Sequence, residues 1–242
     1  MSADDHMNGF HNLLNRARTA IDVLLGHEKI HQLIRKLHDE ELAKLDFVRN
    51  EILFEMKHGD IPRTVQETRI INRQKYEQLV QRNEVILNVG CGHRSIEHML
   101  NVDRRELPNV DIVSDAIYIQ LPRESIHGIY SEHVLEHFPN EQIRRQLLPN
   151  WVGLMKEGGY VRAVVPDAES MLRSYVDGSM TFDDLREVTF GLQEYEGDMH
   201  YTMFSQGSLK RLLEEAGLKR VQFIAAARPN GKCLEMEVVA YK

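Results

Sequence analysis

The sequence predicts an α/β protein built on a mostly parallel sheet, with helices on both faces, an antiparallel terminal hairpin and an N-terminal helical arm. Three observations predict it. Short apolar runs recur at 85–89, 99–102, 110–113, 126–130, 160–165, 219–225 and 234–241, the lengths of buried strands. Segments with apolar residues at steps of three and four alternate with some of them. The first run ends in the pair Gly90 and Gly92, and the second stops on Asp103, a layout that lets a parallel sheet hold a nucleoside.

The arm comes first. Phe10, Leu13, Leu14, Ala17, Ile21, Leu24, Ile30, Leu33, Leu37, Leu45, Val48, Ile52 and Met56 fall at helical spacing. Gly26 and His27 interrupt the pattern and predict a break or kink. Gly59-Asp60-Ile61-Pro62 reads as a stop, and residues 63–82 as a second, more polar helix. The domain division expected is therefore an arm over 1–82 and a globular domain over 83–242. Such an arm can pack on the domain, cover a site, or pair two copies into a homodimer.

Within the globular domain, Ile143, Leu147, Leu148, Trp151, Leu154 and Met155 mark a helix ended by Gly158-Gly159, which Pro149 kinks or splits. Leu209, Leu212, Leu213 and Ala216 mark another, with Gly217 as its stop. Arg228-Pro-Asn-Gly-Lys232 is a hairpin turn, which makes the last strand antiparallel to the one before it.

Composition narrows the function classes. The net charge of −7 does not favour non-specific adhesion to nucleic acid. Two cysteines, Cys91 and Cys233, do not form a disulfide framework and suit a reducing compartment. The first residues lack the apolar core of a signal peptide, and no apolar run reaches the ~20 residues that span a bilayer. A cytoplasmic location is the expectation.

Five motifs then occur in order: Leu87-Asn-Val-Gly-Cys-Gly92, Asn101-Val-Asp103, Ile129-Tyr-Ser-Glu-His-Val-Leu-Glu-His137, Leu154-Met-Lys-Glu-Gly-Gly159 and Val164-Val-Pro-Asp167. Together they resemble the class I S-adenosylmethionine-dependent methyltransferases over residues 85–241. The resemblance implies a seven-stranded Rossmann-like sheet and S-adenosyl-L-methionine as cofactor. It implies that Gly90 and Gly92 turn beneath the methionine part, with Asn88, Cys91 and His93 nearby. Asp103 would bind the ribose, Asp115 and Ala116 would lie beside the adenine, and Ser131 and Glu132 would sit at the mouth shared with the acceptor. A small-molecule or saccharide acceptor, methylated at oxygen, is the expectation. His133, His200 and Asp167 are the candidate general bases, and no metal ligand set is assigned.

Two departures stand out. The family usually has an acid where Asn88 stands and often a third glycine where Arg94 stands. Only Cys91 to Met99 separate the first two strands, so the crossover helix is expected to shrink to a turn or two. Two rival functions follow from the residues. Asn88 and Arg94 support a non-catalytic cofactor-binding scaffold that works through its arm. His133-Val-Leu-Glu-His137 matches the H-x-x-E-H pattern of zinc peptidases, although Pro139 closes off the helix such a site needs.

Overall fold

The computed structural model describes residues 67–194 and 197–242 and, towards the N-terminus, residues 23, 26, 28–42, 44–46, 48–49 and 52. The chain divides into two units, Met1–Thr64 and Val65–Lys242. In the first unit every described residue is helical, Gly26 included. The stop at Gly59–Pro62 lies outside the described residues.

The second unit carries one eight-stranded sheet in the order β1-β4-β3-β2-β5-β6-β8-β7. Its strands are β1 (Arg69–Ile70), β2 (Ile86–Val89), β3 (Leu100–Asp103), β4 (Ile112–Val113), β5 (Ile126–Glu132), β6 (Met155–Pro166), β7 (Lys219–Asn230) and β8 (Cys233–Tyr241). Pairings among β2 to β6 are parallel, and β8 runs antiparallel to both β6 and β7. All seven expected strands are present, and Asn230 faces Cys233 across the two-residue turn of the terminal hairpin.

The eighth strand corrects the expected helix over 63–82. Arg69 and Ile70 extend the sheet by pairing antiparallel with β4, and helix α1 covers only Arg73–Arg82. Asn72 starts α1 by accepting the Lys75 N–H, and its own side-chain amide donates to Asp111. Those bonds fix the turn that a periodicity argument cannot see.

Asn140–Gln142, a π-helical stretch at Ile143–Leu147 and Leu148–Leu154 follow one another as helix α2. Pro149 sits at the join and lacks the N–H that a regular ladder would use. The helix stops at Leu154, before Gly158-Gly159, because Met155 already pairs with Ile126. Helices α3 (Ala168–Asp177), α4 (Phe182–Phe190) and α5 (Gln206–Glu215) complete the unit.

The main core gathers Leu87, Val89, Leu100, Val102, Ile129, Val161, Ala163 and Val238, which alternate onto one face, with Leu79 of α1, Trp151 of α2 and Leu209, Leu212 and Leu213 of α5. Helices on both faces were expected, yet the connections β2→β3 and β3→β4 carry none. Right-handed crossovers put those two connections on the face opposite α2, because the sheet is traversed there in the other direction. Ten residues or fewer cannot form a helical crossover. The opposite face consequently presents Asn88, Asn101, Tyr130, Glu132, Arg162 and Glu237.

Candidate active site

Strands β2, β3, β4 and β5 end on the same side, as parallel strands must, and a cleft of about 230 Å³ opens there. Val89, Gly90, Asp103, Arg104, Arg105, Ser114, Asp115, Ala116, His133, Val134, His137, Phe138 and Gly197 line it. Of the expected cofactor residues, Gly90, Asp103, Asp115 and Ala116 meet in this cleft, together with His133. Asn88, Cys91, Gly92, His93, Ser131, Glu132, His200 and Asp167 are not among its lining residues.

Gly90 turns with φ +69°, and a Cβ there would meet Val134 Cγ2 at 2.3 Å. The glycine is required by the close approach of the β5 loop as much as by any ligand. Gly92, at φ +50°, donates its N–H to Asp103 Oδ2 at 2.9 Å, which ties the end of β2 to the end of β3. Asp103 Oδ1 accepts the Arg105 N–H at 2.9 Å and Nε at 3.1 Å. Burial pushes this carboxyl upward, but the bonds from Arg105 and Gly92 prevail and hold it below the usual range. Asp115 caps a short 3-10 turn, Ala116–Tyr118, by accepting the Ile117 N–H. Fully buried Trp151 donates Nε1–H to the Ala116 carbonyl at 2.8 Å and so fixes the opposite wall.

The two departures have structural accounts. Asn88 is buried and donates to the Arg94 carbonyl at 3.1 Å and to Asn101 Oδ1 at 2.9 Å. Asn101 in turn accepts the Ile96 N–H and donates to Asp111. This amide network holds residues 91–99 as a loop with no helical turn, which corrects the expected short helix. Arg94 needs no left-handed backbone and pairs with Glu132 at 2.8 Å. The Cys91 thiol is pushed up to about 12, chiefly by burial and then by Asp103 and Asp111, so it stays protonated. His93 is exposed, and the buried Ser131 hydroxyl finds no partner.

His133 has φ +52°, an uncommon backbone for a non-glycine residue and one that costs on the order of 1 kcal/mol or more. Its Nδ1 meets Glu136 Oε1 and its Nε2 meets Glu235 Oε2, each at 2.9 Å. Burial alone would lower its pKa, but the two carboxylates raise it to about 9 and keep the ring cationic at neutral pH. His200 behaves oppositely: burial lowers its pKa, and its Nδ1 lies 2.8 Å from the Val188 carbonyl. Asp167 caps α3, accepting from the Ser170 N–H and hydroxyl and from the Ala227 N–H.

The zinc-peptidase pattern does not assemble. Leu135–His137 is a 3-10 turn, not an α-helix, and both ring nitrogens of His133 face carboxylates. The sequence reading missed Arg104, Arg105, Val134, Phe138 and Gly197 in the cleft, and Glu235 behind it. Glu235 is 102 positions from His133, and no local pattern marks it.

Comparison with known proteins gives the family. A family model described as a methyltransferase domain matches residues 31–223, most of the chain. The chain belongs to that methyltransferase domain family. Among solved structures, a SAM-dependent methyltransferase from Archaeoglobus fulgidus is 18% identical with a TM-score of 0.45, over 70% of this chain and 90% of that one. A SAM-dependent methyltransferase from Methanosarcina mazei is 15% identical with a TM-score of 0.47, over 69% and 96%. One from Mesorhizobium loti is 14% identical with a TM-score of 0.41, over 65% and 90%. No curated protein matches the chain. Among the described residues of this methyltransferase-family protein, no helix is long and apolar enough to cross a membrane.

Proposed function

We propose that this chain transfers the methyl group of S-adenosyl-L-methionine to an oxygen of a small-molecule or saccharide acceptor. The observation that carries the reading is the convergence of Gly90, Asp103, Asp115 and Ala116 on one cleft at the carboxyl ends of β2, β3 and β4. In this reading the transferase domain begins near Val65 rather than at residue 83, because β1 and α1 belong to the sheet and core of the second unit, and the arm is the part before it.

The residues fit the cofactor. A carboxylate has about four acceptor positions, and Asp103 spends its best two on the N–H groups of Gly92 and Arg105. The Arg105 guanidinium contacts at 3.1 and 3.4 Å are the longer ones, and a ribose diol would take their place. Asp115 and Ala116, braced by Trp151, would flank the adenine. When bound, the cofactor supplies a sulfonium methyl that needs alignment more than activation, and orientation can contribute ~7–11 kcal/mol. The ring of His133 closes one side of the cleft, held in place by Glu136 and Glu235, whose carboxylates compensate its charge. Asp167 spends its carboxylate on the α3 cap, which leaves His200 as the neutral histidine near the acceptor side.

Incubation with S-adenosylmethionine and a panel of sugars and metabolites should release S-adenosylhomocysteine with one acceptor class. Tight cofactor binding without turnover on any acceptor or cell extract would instead support the non-catalytic scaffold.

The arm supports homodimerisation in this reading. Val23, Ile34 and Leu45 recur every eleven residues, as do Leu37 and Val48, and eleven residues make three helical turns. These five side chains are exposed in the single chain. Before Leu37, Lys29, Arg35 and Lys36 outnumber Glu28, whereas after it Asp39, Glu40, Glu41 and Asp46 outnumber Lys44 and Arg49. An antiparallel second copy would set the basic half against the acidic half, and a parallel one would oppose like charges.

A further inference from the structure

We propose that Glu136, His137 and His200 form a binding site for one divalent transition-metal cation beside the acceptor side of the cleft. One donor atom from each lies within 4.8 Å of the others. Glu136 is 1% exposed; its Oε1 is taken by His133, and its Oε2 is buried without any hydrogen-bond partner. An unpartnered buried carboxylate oxygen is costly to keep, and a cation is the partner such an atom lacks.

The histidines hold a tautomer suited to the same purpose. His137 Nδ1 lies 3.2 Å from the Met199 carbonyl, and His200 Nδ1 lies 2.8 Å from the Val188 carbonyl. A carbonyl can only accept, so each Nδ1 carries the proton and each Nε2 presents a lone pair. That tautomer, set by a backbone carbonyl, is the arrangement of metal-binding histidines. His133, clamped between Glu136 and Glu235, fixes the carboxylate in turn.

The fold brings the set together from distant places. Glu136 and His137 sit on the turn after β5, and His200 on the segment between α4 and α5. That segment is pinned by the Tyr201 N–H on the Glu136 carbonyl at 2.8 Å and the Thr202 hydroxyl on the Phe138 carbonyl at 2.7 Å. Two imidazoles and one carboxylate suit zinc, cobalt or iron and leave positions open for an exogenous oxygen. Zinc holds such ligands at ~2.0–2.2 Å, so the donors need to draw in by only about an ångström. His137 also lines the cleft, which puts the open positions within reach of an acceptor hydroxyl.

The test uses the full chain without a histidine tag, stripped with EDTA and titrated with cobalt(II) while visible absorption and bound metal are measured. About one equivalent should bind with d–d bands in the visible, and His137→Ala, His200→Ala and Glu136→Gln should each weaken uptake by roughly 10-fold or more. His98→Ala, at an exposed site, should bind as the unaltered protein does. Substoichiometric uptake by the folded protein, or the same uptake and spectrum in the two alanine variants, would overturn the site and leave the histidines as an edge-to-face pair with centroids 4.8 Å apart. Because Glu136 is buried, the two histidine variants decide the matter if Glu136→Gln fails to fold. Cobalt uptake is read without methyl transfer, so the outcome stands apart from the proposed activity.

Discussion

The Asn88 side-chain amide donates to Asn101 Oδ1 at 2.9 Å, across the neighbouring parallel strands β2 and β3. This bond stands where the resemblance implies an acid, and it makes an acid unsuitable here. Both groups facing Asn88 Nδ2, Asn101 Oδ1 and the Arg94 carbonyl, are acceptors.

Replacing Asn88 with aspartate should therefore set a buried carboxylate against two acceptors and loosen the 91–99 loop. The expected loss is about 2–4 kcal/mol in urea unfolding, from two lost donors and an unpaired buried charge. A variant as stable as the parent would show that the network does not hold the loop.

Asp103 and Arg105 make a pair of opposite expectations. Asp103→Ala removes an ionised acceptor whose bonds are worth ~1.5–3 kcal/mol each, so calorimetry should show S-adenosylmethionine binding weakened by at least roughly 10-fold. Arg105→Ala removes the guanidinium from Asp103, where the proposed ribose diol would bind, and affinity should hold or rise. Equal losses in both variants would argue that Arg105 itself contacts the cofactor.

Asp111 predicts the acid limb of stability. Burial raises this carboxyl, but the Asn101 N–H, Lys75 and Asn72 outweigh it and hold it below the ordinary aspartate value. A carboxyl depressed in the folded state stabilises above its unfolded pKa of ~3.9 and loses that contribution as pH falls through the folded value. Asp111→Asn should cost about 2–4 kcal/mol at pH 7, and its stability should fall less steeply below pH ~4 than that of the unaltered protein. Parallel curves over that range would remove Asp111 as a contributor.

The arm is tested by cross-linking. In a background where Cys91 and Cys233 are serine, Val23→Cys mixed with Ile52→Cys should oxidise to a linked pair. Neither variant alone should do so. Linkage of Val23→Cys to itself would mean parallel helices, and a monomer by sedimentation at micromolar concentration would remove the dimer.

Local chemistry was enough to read the seven strands, the terminal hairpin and the position of the cleft. Alternating and continuous apolar runs, Gly90, Asp103 and the Asn-Gly turn act through neighbours in the chain or in the next strand. The edge strand Arg69–Ile70 escaped that reading because two residues carry no period, and its pairing with β4 is a long-range event. The helix-free crossover escaped as well, since it depends on amides of Asn88 and Asn101 meeting only after β2 and β3 align.

By itself, then, the sequence determined the strands of the sheet and the ends where a ligand gathers, because side-chain period and glycine conformation are local properties. Tertiary structure alone decided what each histidine can do. His133 is cationic because Glu136 and Glu235 flank it, and Glu235 arrives on the last strand. His200 meets Glu136 and His137 because backbone bonds pin its segment to the β5 turn. Charge state and ligand geometry depend on distances between atoms far apart in the chain, and folding is what sets those distances.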